Sequence, residues 1–279
     1  MIVYINGKFV PLEEAKVSPF DRGFLFADGV YEAMRTYNGK LFRVEYHLQR
    51  LKRSLNAIEL SYNVTGELET VIYELINKNN ITGEAFIYLQ ITRGVSIPRT
   101  HKFPKSQSPT VFITANGLND QPEKRTNGVK VITDEDLRWL RCNIKSLVLL
   151  PAVLSKQKAV DAGVEEAILI RNGLITEGTH TNFFAVKNKV VYTAPESNFI
   201  LSGITRKVVL QLCNELDIKV KEEFIKEDEL NRFDEYFITS TIEEVTPVIQ
   251  IDDLVINNGK PGEITGQLQG AFYKLTGKE

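Results

Sequence analysis

The chain has 279 residues, enough for one large or two medium domains. A quarter of the residues are charged, yet the formal net charge is only −2, which leaves no basic face for nucleic acid or an acidic membrane. The two cysteines, Cys142 and Cys213, fall in apolar segments without metal-ligand spacing and read as buried thiols; the three histidines, His47, His101 and His180, are scattered, so no metal site is predicted. The sequence shows neither a charged-then-apolar leader nor an apolar run of membrane-spanning length, and a cytoplasmic location is expected.

Residues 1–10 read as a hairpin turned by Asn6-Gly7, and strands over 30–37 and 40–44 repeat the pattern around Asn38-Gly39. A helix follows with Leu48, Leu51, Leu55 and Ile58 on one face. A second helix begins near Thr65, an expected N-cap, and carries Leu68, Val71, Ile72, Leu75 and Ile76 as its stripe. Alternation over 84–92 and an apolar run at 110–114 predict two further strands, so residues 1–115 form an N-terminal α+β domain. The polar, turn-rich stretch 116–127 is the expected linker. Residues 128–279 form the expected second domain, which mixes hairpins and helices. Its strands are predicted at 129–133, 167–170, 174–176, 183–186, 190–193, 236–240 and 248–251. Its helices are predicted at 149–162, at 205–216 and near the end, where Ile264, Leu268, Phe272 and Leu275 recur. The fold class is α+β in two domains, with mainly antiparallel sheets. Neither a GxGxxG nor a Walker lysine motif occurs, which excludes the common nucleotide sites.

Several residues could carry chemistry. A free lysine amine has a pKa of about 10.4 and is a poor nucleophile at neutral pH, but burial disfavours its charged form. Lys145 precedes an apolar run, and Ile144, Leu147, Val148, Leu149 and Leu150 are expected to bury it; the alternative is a surface lysine at a strand end. Glu177 follows a hairpin and precedes Gly178. It reads either as a buried carboxylate that keeps a heterocyclic nitrogen protonated or as a solvated turn carboxylate. Ser202-Gly203-Ile204-Thr205-Arg206 opens a helix, where free amides and the dipole favour an anion, though many ordinary caps look the same. Thr239-Ser240-Thr241 ends a strand and could reach a phosphate or merely cap a turn. Arg50 lies beside Lys52 and Arg53 and by periodicity is solvated. Arg99 and His101 share a proline-containing loop that could bind a carboxylate or be plain surface.

Five segments together give a resemblance. They run from Asp21-Arg22-Gly23 to Tyr31-Glu32, from Arg93-Gly94 to Phe103-Pro104, from Asp136-Leu137-Arg138-Trp139 to Leu150, over 167–182, and over 201–206. With them the chain resembles the fold type IV pyridoxal phosphate aminotransferases through nearly its whole length, and most of all the D-amino acid aminotransferases. The resemblance implies pyridoxal 5'-phosphate held between the two domains. Lys145 matches the lysine that bonds to the cofactor and shuttles a proton between the substrate Cα and the cofactor C4′. Glu177 matches the acidic partner of the ring nitrogen. Arg50, Ile204, Thr205 and Thr241 match the phosphate-binding residues, and Leu201 the residue packed on the ring. Tyr31, Arg99 and His101 match the group that traps the substrate carboxylate; Arg99 and His101 reach the partner subunit's site in that family, so a homodimer is implied.

The sequence also departs from the pattern. Thr179 and His180 stand where the D-amino acid enzymes have small serines, Ile97 lengthens the loop before Arg99, and Arg35 resembles an arginine of the branched-chain L-amino acid enzymes. Arg35 is therefore a further candidate substrate contact. The resemblance implies ping-pong transfer of an amino group from a D-amino acid, such as D-alanine or D-glutamate, to a 2-oxo acid such as 2-oxoglutarate. A branched-chain L-amino acid aminotransferase, an aminodeoxychorismate lyase and a non-catalytic binder of the same shape are the alternatives.

Overall fold

The computed structural model describes residues 1–106 and 108–278. They divide into two units: Met1–Asn119 with Ile144–Val148, and Asp120–Asn143 with the described chain from Leu149 onward. No helix among the described residues is long and apolar enough to cross a membrane.

In the first unit, Asn6 and Gly7 both adopt positive φ and turn β1 (Ile2–Ile5) back onto β2 (Lys8–Pro11). The short helix α1 (Arg22–Phe26) is capped by Asp21, whose carboxylate accepts from the Gly23 amide at 2.7 Å. The Asn38-Gly39 turn joins β3 (Gly29–Tyr37) to β4, which covers only Lys40–Leu41 rather than the expected 40–44. The chain leaves the strand early because Arg43 takes a left-handed conformation and α2 (Val44–Ala57) begins at once. Next comes α3 (Glu67–Lys78), whose N-cap is Gly66 and not Thr65. The hairpin β5 (Ala85–Thr92) and β6 (Thr110–Gly117) completes the unit. The six strands form one sheet in the order β2-β1-β6-β5-β3-β4, and every pairing is antiparallel.

Ile144–Val148 belongs to this first unit, although the sequence places Lys145 in a domain beginning at 128. The reason is backbone pairing. The Tyr31 amide donates to the Lys145 carbonyl at 3.0 Å, Leu147 donates to Gly29 at 3.1 Å, and Val30 bridges Ser146. The Lys145 amide donates to Ser54 Oγ on α2 at 3.2 Å.

In the second unit, α4 (Pro122–Asn127) opens with Pro122 in its first turn, a position where no amide is lost. The stretch read as a linker, 116–127, is thus partly the end of β6 and partly helix. After it come β7 (Val129–Glu135), α5 (Leu150–Asp161), β8 (Glu166–Arg171), β9 (Leu174–Gly178), β10 (Asn182–Lys187) and β11 (Val190–Thr193). Then follow α6 (Ile204–Glu215), β12 (Val220–Glu222), β13 (Glu235–Ser240), β14 (Glu244–Ile251), β15 (Leu254–Val255) and α7 (Glu263–Thr276). The sheet runs β12-β11-β10-β13-β14-β7-β8-β9, with β15 on β14. Its pairing is mixed: β7 lies parallel to both β8 and β14, and β11 parallel to β12. The crossover β7-α5-β8 forces the parallel pair, because a helix between two strands returns the chain in its original direction. One core layer gathers Val131, Ile168, Ile175, Phe183, Tyr236 and Ile238.

The inner face of α2 differs from its expected apolar stripe. The buried residues are His47, Arg50, Leu51, Ser54 and Leu55. Glu32 on β3 explains this. It is fully buried and needs donors. Arg50 meets it with a fork, Nε to Oε1 and Nη2 to Oε2, each at 2.8 Å, and His47 Nδ1 lies 2.8 Å from Oε2. Burial opposes charge on Glu32, yet Arg50 and His47 hold the carboxyl down at about 2. Burial also lowers the His47 pKa, against the pull of Glu32. A carboxyl depressed from 4.5 to about 2 stabilises the fold above pH 4.5 and loses that contribution as pH falls toward 2, by roughly 3 kcal/mol in all. In urea titrations across pH, Glu32→Gln should be less stable at pH 7 by about 3 kcal/mol, because Arg50 is left unpaired. Its stability should also fall less steeply than the wild type between pH 4.5 and 2. Parallel acid limbs for the two proteins would refute this account.

Candidate active site

Lys145 is half-buried, and its Nζ lies 4.1 Å from the centre of the Tyr31 ring. Ile144 is buried beside it, but Val148, Leu149 and Leu150, expected to cover it, are exposed. What places the amine is therefore the backbone pairing of 144–148 with β3 and the Tyr31 face. Tyr31 in turn packs on Tyr88 of β5, with ring centres 5.7 Å apart. Burial pushes the Tyr88 hydroxyl up to about 12, so it stays a neutral donor, and it donates to Gln90 at 2.7 Å.

Glu177 ends β9 and is buried in the second unit. Arg138 Nη1 donates to its Oε1 at 2.5 Å, Asn182 Nδ2 donates to its Oε2 at 2.9 Å, and the Leu201 amide reaches both oxygens at 3.1 and 3.0 Å. Burial pushes the Glu177 carboxyl up from its ordinary value, against the charge and hydrogen bond of Arg138. Arg138 is itself fixed by Asp136 at 2.8 and 2.9 Å, and Asp136 also pairs with Arg171 at 3.0 Å. Sequence reasoning read Glu177 but missed Arg138 and Asn182. Their signal was an arginine and an amide within the same segments, polar residues where the flanking pattern is apolar.

Helix α6 opens at Gly203 without a side-chain cap, so its first amides are offered to whatever lies beyond them. Gly203 is required there, since a Cβ would collide with Asn182 Oδ1. Ile204 and Thr205 are both buried, and the Thr205 hydroxyl donates to the Ser240 carbonyl at 2.9 Å. That bond ties the helix start to the end of β13; what Thr205 offers an anion is its backbone amide. Thr241 sits in the turn after β13, half-buried. Thr239 pairs across from Asn182, is 1% exposed, and has a hydroxyl with no hydrogen-bond partner. Arg50, read from periodicity as solvated, is buried on Glu32 in the first unit.

These residues fit pyridoxal phosphate on the chemistry of their groups. A buried carboxylate held by donors suits a ring nitrogen that carries a proton. An uncapped helix start suits a phosphate, and an orphaned buried hydroxyl is a further polar group for a ligand. No group of side chains that could hold a metal occurs among the described residues.

Arg99 and His101 are exposed on the loop between β5 and β6, with the Arg99 guanidinium 4.4 Å and the His101 ring 5.4 Å from the centre of Phe26. Arg35 is placed differently. It is 1% exposed, its Nε donates to Glu84 Oε2 at 2.6 Å, and it lies 4.9 Å from the Tyr37 ring. It shares the Tyr31 side of β3 but sits four residues further on, roughly 13 Å at strand spacing.

His180, in the turn between β9 and β10, pairs with buried Glu166 at 3.0 Å. Burial would raise the Glu166 carboxyl, but His180 and the Thr179 hydroxyl, which donates at 2.6 Å, hold it at about 2. Thr181 donates to the same carboxylate at 3.0 Å. Residues 179–181 thus form one polar knot between Glu177 and Asn182; of these, the sequence set apart Thr179 and His180 as departures from serine.

A model of the Amino-transferase class IV family matches residues 29–251. The D-alanine aminotransferase of Staphylococcus haemolyticus is 45% identical over 274 residues, covering 98% of this chain and 96% of that protein. The D-alanine aminotransferase of Bacillus licheniformis is 44% identical with the same coverage. Among solved structures, the branched-chain amino acid aminotransferase of Escherichia coli superposes with a TM-score of 0.91 at 29% identity, covering 99% of this chain and 94% of that one. The branched-chain aminotransferase of the archaeon Thermoproteus uzoniensis, with norvaline, gives 0.89 at 28% identity, covering 100% and 96%. With a family match over most of its length and full-length relatives at this identity, the chain belongs to the class IV aminotransferases, pyridoxal phosphate enzymes of fold type IV.

Proposed function

We propose that the protein is a pyridoxal phosphate-dependent aminotransferase that moves the amino group of a D-amino acid, such as D-alanine or D-glutamate, to a 2-oxo acid such as 2-oxoglutarate. One observation carries the choice of D-amino acids. The relatives named D-alanine aminotransferase match nearly the whole chain at 44–46% identity, whereas the branched-chain enzymes share its backbone at 28–29%.

Lys145 is the catalytic residue in this reading. Its amine would hold the cofactor covalently and would serve as general base for the proton on the substrate Cα. Pyridoxal phosphate, when bound, supplies the electron sink for the pair left at Cα. Glu177 holds a proton on the ring nitrogen, and Arg138 and Asn182 keep Glu177 in place. Leu201 would pack on the ring. The amides of Ile204 and Thr205, together with Arg50 and Thr241, bind the phosphate. Tyr31, Arg99 and His101 orient the substrate through its α-carboxylate, the last two from the loop of a second copy.

A homodimer is part of this proposal, and α5 supports it. At 100° per residue, Leu150, Val153, Leu154 and Val160 form one stripe, and each is more than half exposed, while the opposite face buries only Ala152, Ser155 and Ala159. A helix with its large apolar residues outward is suited to cover by another protein surface. The double substitution Leu150→Glu and Leu154→Glu should convert a dimer to monomer in analytical ultracentrifugation, and an unchanged mass would speak against this face.

Lys145→Ala should lower kcat by at least about a thousandfold with the fold intact; a wild-type rate would remove Lys145 from the chemistry. D-Alanine with 2-oxoglutarate should yield pyruvate, whereas L-leucine should yield little 4-methyl-2-oxopentanoate. Transfer from L-leucine alone would favour the branched-chain reading. Repeated release of pyruvate from aminodeoxychorismate, without an acceptor oxo acid, would favour the lyase.

A further inference from the structure

We infer that Arg22 and Arg93, gathered on the Asp28 carboxylate, are positioning residues that fix the 98–103 loop and so set how tightly the enzyme holds a substrate carboxylate. The inference rests on the assignment of Arg99 and His101 to that carboxylate. Arg22 is 3% and Arg93 1% exposed, and two buried guanidinium groups are costly unless nearly every donor is used. Asp28 serves both. Its Oδ2 accepts from Arg22 Nε at 2.7 Å and from Arg93 Nε at 2.8 Å, and its Oδ1 accepts from Arg93 Nη2 at 3.0 Å.

The remaining donors go to backbone. Arg22 Nη1 donates to the Thr100 carbonyl at 2.6 Å and to Lys102 at 3.3 Å, and its Nη2 to His101 at 3.4 Å. Three consecutive carbonyls of the loop are thus held by one planar fork, which a lysine could not reproduce. Arg93 donates to Ile58 and Glu59 at 2.6 and 2.8 Å, and its guanidinium lies 3.7 Å from the centre of the Phe103 ring. Phe26 takes up the other side, 4.8 Å from Arg22 and 4.4 Å from Arg99.

The loop is also closed at its base. Gly94 pairs with Ser108 at a φ of +81°, where a Cβ would strike the Ser108 carbonyl, and Gly94 accepts from the Arg22 amide at 2.9 Å. Backbone held from beneath and side chains left exposed is the arrangement a preorganised anion site requires. The separation of Arg99 and His101 is set before substrate arrives, and no loop ordering has to be supplied on binding.

The test uses the holoenzyme. Arg22→Lys keeps the charge beside Asp28 but loses the fork to the loop. KM for D-alanine and for 2-oxoglutarate, and the inhibition constant of propionate, should each rise about tenfold, with kcat within about twofold. At a temperature where both proteins are folded, trypsin should cut after Arg99 and Lys102 faster than in the wild type. If Arg22→Lys does not fold, Phe103→Ala, which removes a half-exposed ring, should shift the same constants in the same direction. Arg99→Met should raise KM and the propionate constant as well, and its effect should not multiply with that of Arg22→Lys in the double variant. Unchanged KM and trypsin cutting, or a fall in kcat alone, would overturn the inference. Multiplying effects would overturn it too, since Arg22 would then act without Arg99. A silent Arg99→Met overturns the carboxylate assignment and the inference together, and that variant by itself separates the two failures.

Discussion

A carboxylate removed from water stays charged only where donors meet it, and the donors must come from somewhere in the chain. Several such carboxylates, buried or mostly buried, organise this protein. Glu32 draws His47 and Arg50 onto the inner face of α2, Asp28 draws Arg22 and Arg93 beneath a surface loop, and Glu177 draws Arg138, Asn182 and the Leu201 amide. Glu166 knots the turn that joins β9 to β10. Each binds two or more elements that hydrophobic burial alone would leave free to slide. Arg50 and the 98–103 loop are attached to these points rather than to the apolar core.

That dependence explains what was legible in the sequence. The Asn-Gly turns, the alternating strands and most helices were readable, because a tight turn or an apolar period is a local property. The inner face of α2 was not. Its buried His47, Arg50 and Ser54 answer Glu32 and the segment at 144–148, partners invisible to periodicity. The apolar run after Lys145 misled in the opposite direction: Leu150, Val153 and Leu154 point away from their own unit. Lys145, Glu177 and Arg50 were picked out as a set only through family resemblance, since each taken singly has an ordinary surface reading. Arg138 could have been found by asking which cation would accompany a buried Glu177.

Strand alternation separates the partners of β3 in the first sheet. One side of β3 presents Glu32 to α2, and the other carries Tyr31 beside Lys145. Alternation along a strand therefore assigns adjacent residues to different tasks. Arg35, on the Tyr31 side, is drawn toward Glu84.

Gly203 bears on both ends of the ligand bed proposed for the second unit. Its missing side chain leaves room for Asn182, and the same Asn182 grips Glu177. The amides at the start of α6 and the carboxylate at the end of β9 are therefore set against one another through a single amide side chain. Under the proposed function, the second unit would act as a gauge of fixed length: a molecule that places an anion at one end would have the position of its proton-bearing nitrogen dictated at the other. Selectivity for the cofactor can then come from its span as much as from its charges.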